Sequence, residues 1–163
     1  MLKRVFWFRH EKGIKKLLKT GMQVGKGTLI FNEAGDFGCN SHTIRIGNNC
    51  VIASGVQFIS NPAIIKFTSS SEKAVEHKIV IHDNCFLGMN SIIYPDVVIG
   101  PNAIVGAGAV VMEDVPPNMC VSGNPLCVNC TVDFYRSTCK RGMIPNYIPG
   151  NKRIVLQEYF WNS

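Results

Sequence analysis

The chain has 163 residues, 46% of them hydrophobic, so it is long enough for one domain with a buried core and too apolar for disorder. Its formal net charge is +6. We expect neither a membrane span nor a secretory signal, because no apolar run is long enough. Seven cysteines occur without two CxxC pairs at zinc-finger spacing, which favours reduced thiols and a cytoplasmic location.

Residues 1–20 predict a helical segment that carries much of the positive charge. Seven Lys and Arg side chains precede residue 20, and Gly21 is placed to end the helix. A solvated helix face explains this charge, and the alternative is attraction of the basic N-terminus to an anionic membrane surface or a polyanionic substrate. Because no recognition motif accompanies the charge, we expect no nucleic-acid partner.

Residues 21–117 predict a stack of short strands. Apolar β-formers recur every six positions at Ile81, Leu87, Ile93, Ile99, Val105 and Val111. A helix cannot keep a period of six on one face and a single strand has a period of two, whereas a short strand and a tight turn, repeated, can. Stacking such units buries one continuous apolar column, which predicts a parallel β-helix.

The regular pattern has an interruption and an end. An earlier run over 46–58 is out of phase with the later one, because the 23 positions between 58 and 81 are not a multiple of six. We therefore predict an inserted loop over about 61–78. Pro116 and Pro117 predict the end of the β-helix, since proline cannot continue a strand ladder. In the extension over 118–163, Thr131 is a candidate N-cap of a helix, and terminal helices would cover the exposed strand edges.

Three segments in this order resemble the hexapeptide-repeat acyltransferases. Ile99–Val111, Asp114–Asn118 and Gly123–Pro125 are similar to the terminal coils and coenzyme-binding turn of that superfamily. Stretches between 37 and 59 and between 131 and 142 are similar to its polysaccharide and capsule O-acetyltransferases. The resemblance implies an all-β fold, a left-handed parallel β-helix with helical caps, assembled as a homotrimer with active sites between neighbouring subunits.

The same resemblance implies transfer of an acetyl group from acetyl-CoA to a hydroxyl of a sugar or polysaccharide precursor. A His of one chain would act as the general base, and a hydrogen-bond donor would stabilise the tetrahedral intermediate. The coenzyme would pass close to five residues, Gly88, Gly106, Ala107, Gly108 and Pro125. Gly and Ala also suit the tight corners of any β-helix, so a structural and a functional explanation of the small residues both stand.

The sequence departs from the family at the catalytic position. The family's pattern there is close to Phe-Ile-Thr-His-Asp, whereas residues 58–62 read Phe-Ile-Ser-Asn-Pro. Asn61 thus stands at the position of the catalytic His, and an amide has no useful basicity near neutral pH. Three explanations are open: a variant made to trap a complex, a natural homologue with its base elsewhere, or a non-catalytic relative.

If the base has moved, His42 and His77 are the preferred candidates and His82 ranks below them. His42 precedes a predicted strand near the family's active-site region, and His77 ends the inserted loop. The same three histidines support an alternative, a γ-carbonic-anhydrase-like zinc protein. The other motifs of that family are missing, so we predict no metal site. A non-catalytic trimer that binds CoA or a glycan is the third candidate.

Overall fold

The chain folds into a left-handed parallel β-helix, as predicted, in a computed structural model that describes residues 15–60 and 77–140. In chain order the strands are β1 (Gln23–Val24), β2 (Leu29–Ile30), β3 (Ile44–Ile46), β4 (Val51–Ile52), β5 (Gln57–Phe58), β6 (Ile79–Ile81), β7 (Phe86–Leu87), β8 (Ile92–Ile93), β9 (Val98–Ile99), β10 (Ile104–Val105), β11 (Val110–Val111), β12 (Met119–Ser122) and β13 (Cys127–Thr131). Two short 3-10 helices, Ala34–Phe37 and Ser41–Thr43, separate β2 from β3, and an α-helix, Val132–Lys140, follows β13.

The strands form three sheets, one along each side of the coil. The first sheet has the order β1-β3-β6-β9, the second β13-β12-β10-β7-β4-β2, and the third β11-β8-β5. Every pair is parallel except β12 with β13. Ile81 pairs with Ile99 and Leu87 with Val105, so the chain returns to the same sheet after 18 residues, three of the six-residue units.

The core is the apolar column that the six-residue pattern predicts. All six pattern residues are buried, and the residues two positions before them, such as Cys85, Ala103 and Ala109, also point inward. At the N-terminal end, the rings of Phe37 and Phe58 stack with their centroids 4.8 Å apart. The column is therefore continuous through the stacked coils.

The corners require backbone that bends in the left-handed region. In the described ranges, six residues other than glycine have φ between 52° and 60°, all of them Asn or Asp, the types that tolerate this conformation best: Asn49, Asn84, Asn90, Asp96, Asn102 and Asn118. Between the first and second sheets, the Asn84 amide donates to Asn102 at 3.1 Å, and the Asn102 amide donates to Asn118 at 2.9 Å. These side chains tie consecutive coils together at one corner.

The C-terminal end continues beyond the proline pair at which the sequence predicts the end of the β-helix. The first sheet does stop there, since Val115 forms only a single bridge with Ile99. The second sheet continues, because β12 pairs in parallel with β10 before β13 turns back antiparallel. The Thr131 hydroxyl accepts a bond from the Phe134 N–H at 3.2 Å, as expected of the predicted N-cap.

The predicted helical segments and loop are described only in part. Residues 15–19 are helical, whereas 1–14, most of the inserted loop (61–76) and 141–163 lie outside the described residues. Among the residues that are described, no helix has the length and apolar character needed to cross a membrane.

Candidate functional site

His77 forms the most distinctive polar contact of the described chain. It lies just before β6, and its Nδ1 is 2.5 Å from Oδ2 of Asp96, which stands at the corresponding corner of the next coil. The His77 side chain is only 16% exposed, while that of Asp96 is 62% exposed. Its Nε2 is buried and has no hydrogen-bond partner among the described residues. A carboxylate at Nδ1 favours the tautomer with the proton there, so Nε2 keeps its lone pair.

The Asp96 carboxylate is itself held in place. Its other oxygen accepts a bond from the backbone N–H of Lys78 at 3.1 Å. The hydrogen bond from His77 lowers the pKa of Asp96, with a smaller contribution from the Lys78 amide, so Asp96 is ionised near neutral pH. An ionised carboxylate that orients a histidine, with no described partner at the second nitrogen, is the arrangement of a general base and its orienting group.

The other two histidines do not join His77 in one cluster. His42 is exposed. It lies two residues before Ile44, and His77 lies two residues before Ile79, which is the register partner of Ile44. The two histidines therefore occupy one corner in consecutive coils. His82 is at the opposite end of β6, and five residues of extended chain span about 16 Å. Within the described residues, no group of three His, Cys, Asp or Glu side chains is placed to hold a metal ion.

The residues predicted to bind the coenzyme come together at another corner, between the second and third sheets. Gly88 follows β7 and Gly106 follows β10, so they stack in consecutive coils. The turn at Ala107 and Gly108 is exposed, and the Gly108 N–H donates to the Met89 carbonyl at 2.9 Å. The structure thus shows these four residues beside one another, while their role as a coenzyme site stays a prediction.

The glycines at this corner do not all serve the same purpose. A Cβ added at Gly88 would lie 2.5 Å from the backbone nitrogen of Ala107, and one at Gly106 would lie 2.7 Å from the Ser122 Cβ. Gly88 and Gly106 are therefore required for the coils to stack. A Cβ at Gly108, whose φ is +68°, would meet nothing within 4 Å. Gly108 and Ala107 therefore border open space that a ligand could approach closely.

Pro125 lies at the edge of the same corner. It is exposed in the turn between β12 and β13, and the preceding Gly123 accepts a bond from the Val110 N–H at 3.0 Å. This contact brings the turn beside the coil that carries Ala107 and Gly108. Asn61, at the family's catalytic position, lies outside the described residues.

Asp96 is the functional candidate that sequence reasoning missed. It is 19 residues after His77, and nothing in the local sequence links the two. The 18-residue coil would have revealed the pair, because it places Asp96 directly beside Lys78 and next to His77.

Comparisons with known proteins agree with this fold. A profile described as bacterial transferase hexapeptide (six repeats) matches residues 78–112, and one described as hexapeptide repeat of succinyl-transferase matches residues 37–57. The chain is 40% identical over 113 residues to Protein CapG of Staphylococcus aureus, covering 68% of this chain and 66% of that one. It is 31% identical over 87 residues to the galactoside O-acetyltransferase of Escherichia coli (strain K12), covering 53% and 43%.

A solved structure shares the architecture. A hexapeptide-repeat acetyltransferase from Vibrio cholerae O1 biovar eltor, complexed with acetyl coenzyme A, superposes with a TM-score of 0.50 at 21% identity, covering 75% of this chain and 86% of that chain. This chain spans less than two thirds of the length of either curated relative. The repeat profiles, the relatives and the β-helix agree, and the chain belongs to the hexapeptide-repeat acyltransferase superfamily.

Proposed function

We propose that this protein is an acetyl-CoA-dependent O-acetyltransferase that acts on a sugar or polysaccharide precursor, with His77 as its general base. The observation that carries the proposal is the contact of His77 with Asp96, which leaves Nε2 buried and without a partner among the residues that the structure describes. The likeness to a galactoside O-acetyltransferase supports a sugar hydroxyl as the acceptor. Of the three explanations for Asn61, this proposal selects a natural homologue whose base lies elsewhere.

The pairing of His77 with Asp96 supports the following proton path. Asp96 holds the Nδ1 proton of His77, so Nε2 accepts the proton of the acceptor hydroxyl as its oxygen attacks the thioester carbonyl. Asp96 stabilises the imidazolium that forms, without taking the proton itself. When the tetrahedral intermediate collapses, His77 returns the proton to the departing thiolate of CoA. The products are an acetyl ester and free CoA.

In this proposal the coenzyme binds at the corner of Ala107 and Gly108. Both residues are exposed, and the space in front of Gly108 is open. The Vibrio cholerae relative in complex with acetyl coenzyme A supports a coenzyme site in this fold. Leu126 and Cys127 follow Pro125 where the family commonly has Ala and a basic residue, so a phosphate contact must come from elsewhere in the protein.

A homotrimer would join the two parts of this site. The third sheet separates the corner of His77 and Asp96 from the corner of Ala107 and Gly108 in one chain. A cleft between two chains can bring the His77 corner of one to the coenzyme corner of the next.

An apolar column also runs along the outside of the second sheet, formed by the register partners Leu29, Val51, Phe86 and Ile104. Leu29 is 55% exposed and Phe86 is 42% exposed, so this face is available to a neighbouring subunit.

The proposal is tested by release of CoA from acetyl-CoA in the presence of a panel of sugars. We expect release that depends on one class of sugar and forms one equivalent of acetyl ester for each CoA. If the protein binds CoA but no hydroxyl acceptor stimulates release, the non-catalytic binding trimer is the better description. Stoichiometric zinc in the purified protein, together with loss of function on chelation, would instead favour the carbonic-anhydrase-like alternative.

A further inference from the structure

The C-terminal hairpin places two cysteines directly opposite each other. Cys120 on β12 and Cys130 on β13 are register partners in the antiparallel pair. Opposed residues in such a pair lie on the same face, with their Cα atoms about 4.5–5.5 Å apart. A disulfide spans Cα separations of about 4.4–6.8 Å, so the hairpin already has the spacing that a disulfide needs.

The surroundings of the two thiols make one accessible and the other protected. Cys120 is 6% exposed, whereas Cys130 is half-buried. Burial raises the pKa of Cys120 to about 11, and the neighbouring Cys130 thiol adds to the shift. Cys139 is also near, and its thiol raises the pKa of the Tyr135 phenol on the same helix.

A second cysteine pair in the protein serves as an internal comparison. Cys50 and Cys85 precede register partners in β4 and β7, so they also stand side by side. Both are buried, and their thiols donate to the carbonyls of His82 and Gly100 at 3.1 Å each. A small reagent cannot reach either sulfur in the folded chain.

We propose that Cys120 and Cys130 form a reversible dithiol–disulfide site that reacts with low-molecular-weight disulfides and, when closed, ties β13 to the last coil. The thiolate of Cys130 attacks the small disulfide, forms a mixed disulfide and releases one small thiolate. Cys120 then loses its proton and attacks the Cys130 sulfur, which forms the Cys120–Cys130 bond and releases the second small thiolate. The chain is oxidised by two electrons, and the small disulfide is reduced to two thiols.

The closed hairpin encloses the turn of Gly123 and Pro125. This turn contacts the coenzyme corner through the bond between the Val110 N–H and the Gly123 carbonyl. The disulfide would therefore fix the strand and turn that border that corner. The site is chemically separate from His77 and does not rest on the proposed acetyltransferase activity.

The experiment treats the folded protein with oxidised glutathione at pH 9, followed by alkylation and peptide mapping without reduction. We expect one cross-linked peptide pair that joins Cys120 to Cys130, with the loss of two hydrogen masses, and its disappearance on addition of a dithiol. Because Cys120 must lose a proton, the second step should accelerate about tenfold per pH unit below the pKa of Cys120. Cys50 and Cys85 should remain reduced, and they should react with the alkylating reagent only after the protein is unfolded.

Two variants serve as controls. Cys130→Ser should abolish the cross-link, and Cys139→Ser should leave it unchanged. A stable glutathione adduct on Cys130 at pH 9, a main product that joins Cys130 to Cys139, or an unreacted Cys130 would each overturn the proposal.

Discussion

The corner with His77 and the corner with Ala107 are positioned in different ways. At the first, two side chains from consecutive coils meet, and Nδ1 of His77 contacts the Asp96 carboxylate. At the second, the glycines are required by the backbone itself, since a Cβ at Gly88 or Gly106 would collide with the next coil. A glycine in a β-helix is therefore weak evidence for a ligand, whereas a paired and partly buried histidine is stronger evidence.

The largest effect is expected at the first corner, from Asp96→Asn. An amide N–H facing Nδ1 favours the wrong tautomer of His77, so kcat should fall by about 10²–10⁴-fold. Asn suits the φ of 60° at this position, so the fold should persist. The measurement is kcat together with CoA affinity, which should not change.

Asp114→Asn is the matched control for Asp96→Asn. Asp114 stands at the same corner one coil later and accepts a bond from the Val98 N–H at 2.7 Å, but has no histidine partner among the described residues. Equal losses of kcat in the two variants would show that the corner, and not the pairing with His77, matters.

At the second corner, Ala107→Trp should weaken CoA binding by tenfold or more, on the order of 1.4 kcal/mol. Ala107 is exposed at the proposed coenzyme path, so a large ring would obstruct the ligand without entering the core. Binding is measured by calorimetry. Lys26→Trp, at an exposed corner of the first coil, is the control and should bind CoA normally. Unchanged affinity in Ala107→Trp would place the coenzyme elsewhere.

A smaller effect separates the two roles of glycine. Gly88→Ala should lower the free energy of unfolding by about 1–3 kcal/mol, because the added methyl group enters the space of the next coil. Gly35→Ala is the comparison, since a Cβ there meets nothing within 4 Å and should be neutral. Denaturant unfolding measures both. A neutral Gly88→Ala would show that this glycine is not needed for stacking.

The smallest effect concerns two buried serines. The Ser91 hydroxyl is buried without a partner in the described chain, whereas the Ser60 hydroxyl donates to the Phe37 carbonyl and accepts from the Asn40 N–H, both at 3.1 Å. Ser91→Ala should raise the free energy of unfolding by about 1 kcal/mol, and Ser60→Ala should lower it by about 1–3 kcal/mol. A destabilised Ser91→Ala would reveal a hydrogen bond from that hydroxyl.

The sequence predicted the repeating part of the fold well, and the physical reason is local. The pattern from Ile81 to Val111 places buried residues at a constant interval of six, so the register between stacked strands follows from counting residues along the chain. The return strand β13 was not predicted, because its pairing with β12 depends on a turn rather than on a repeat. The strand β12 beyond Pro117 was missed because the two prolines lie in the turn after the Val115 bridge, and the chain pairs again from Met119 onward.

The candidate site was predicted less completely than the fold. His77 was among the candidates. It ranks above His42 because of its contact with Asp96, which joins two coils and has no local sequence motif. The small residues of the coenzyme corner were singled out from the sequence, and their coenzyme role stays a prediction. Gly88 and Gly106 can be distinguished from Gly108 only by the distances between neighbouring coils, and the sequence does not contain these distances.

The most direct test of the central claim compares His77→Gln with His42→Gln in the same acetyl-transfer assay. Both histidines occupy one corner in consecutive coils, and only His77 is paired with a carboxylate among the described residues. We expect kcat/KM to fall by about 10²–10⁴-fold for His77→Gln and by less than about twofold for His42→Gln, with CoA affinity unchanged in both. Full activity in His77→Gln, or a loss confined to His42→Gln, would contradict the assignment of His77 as the base.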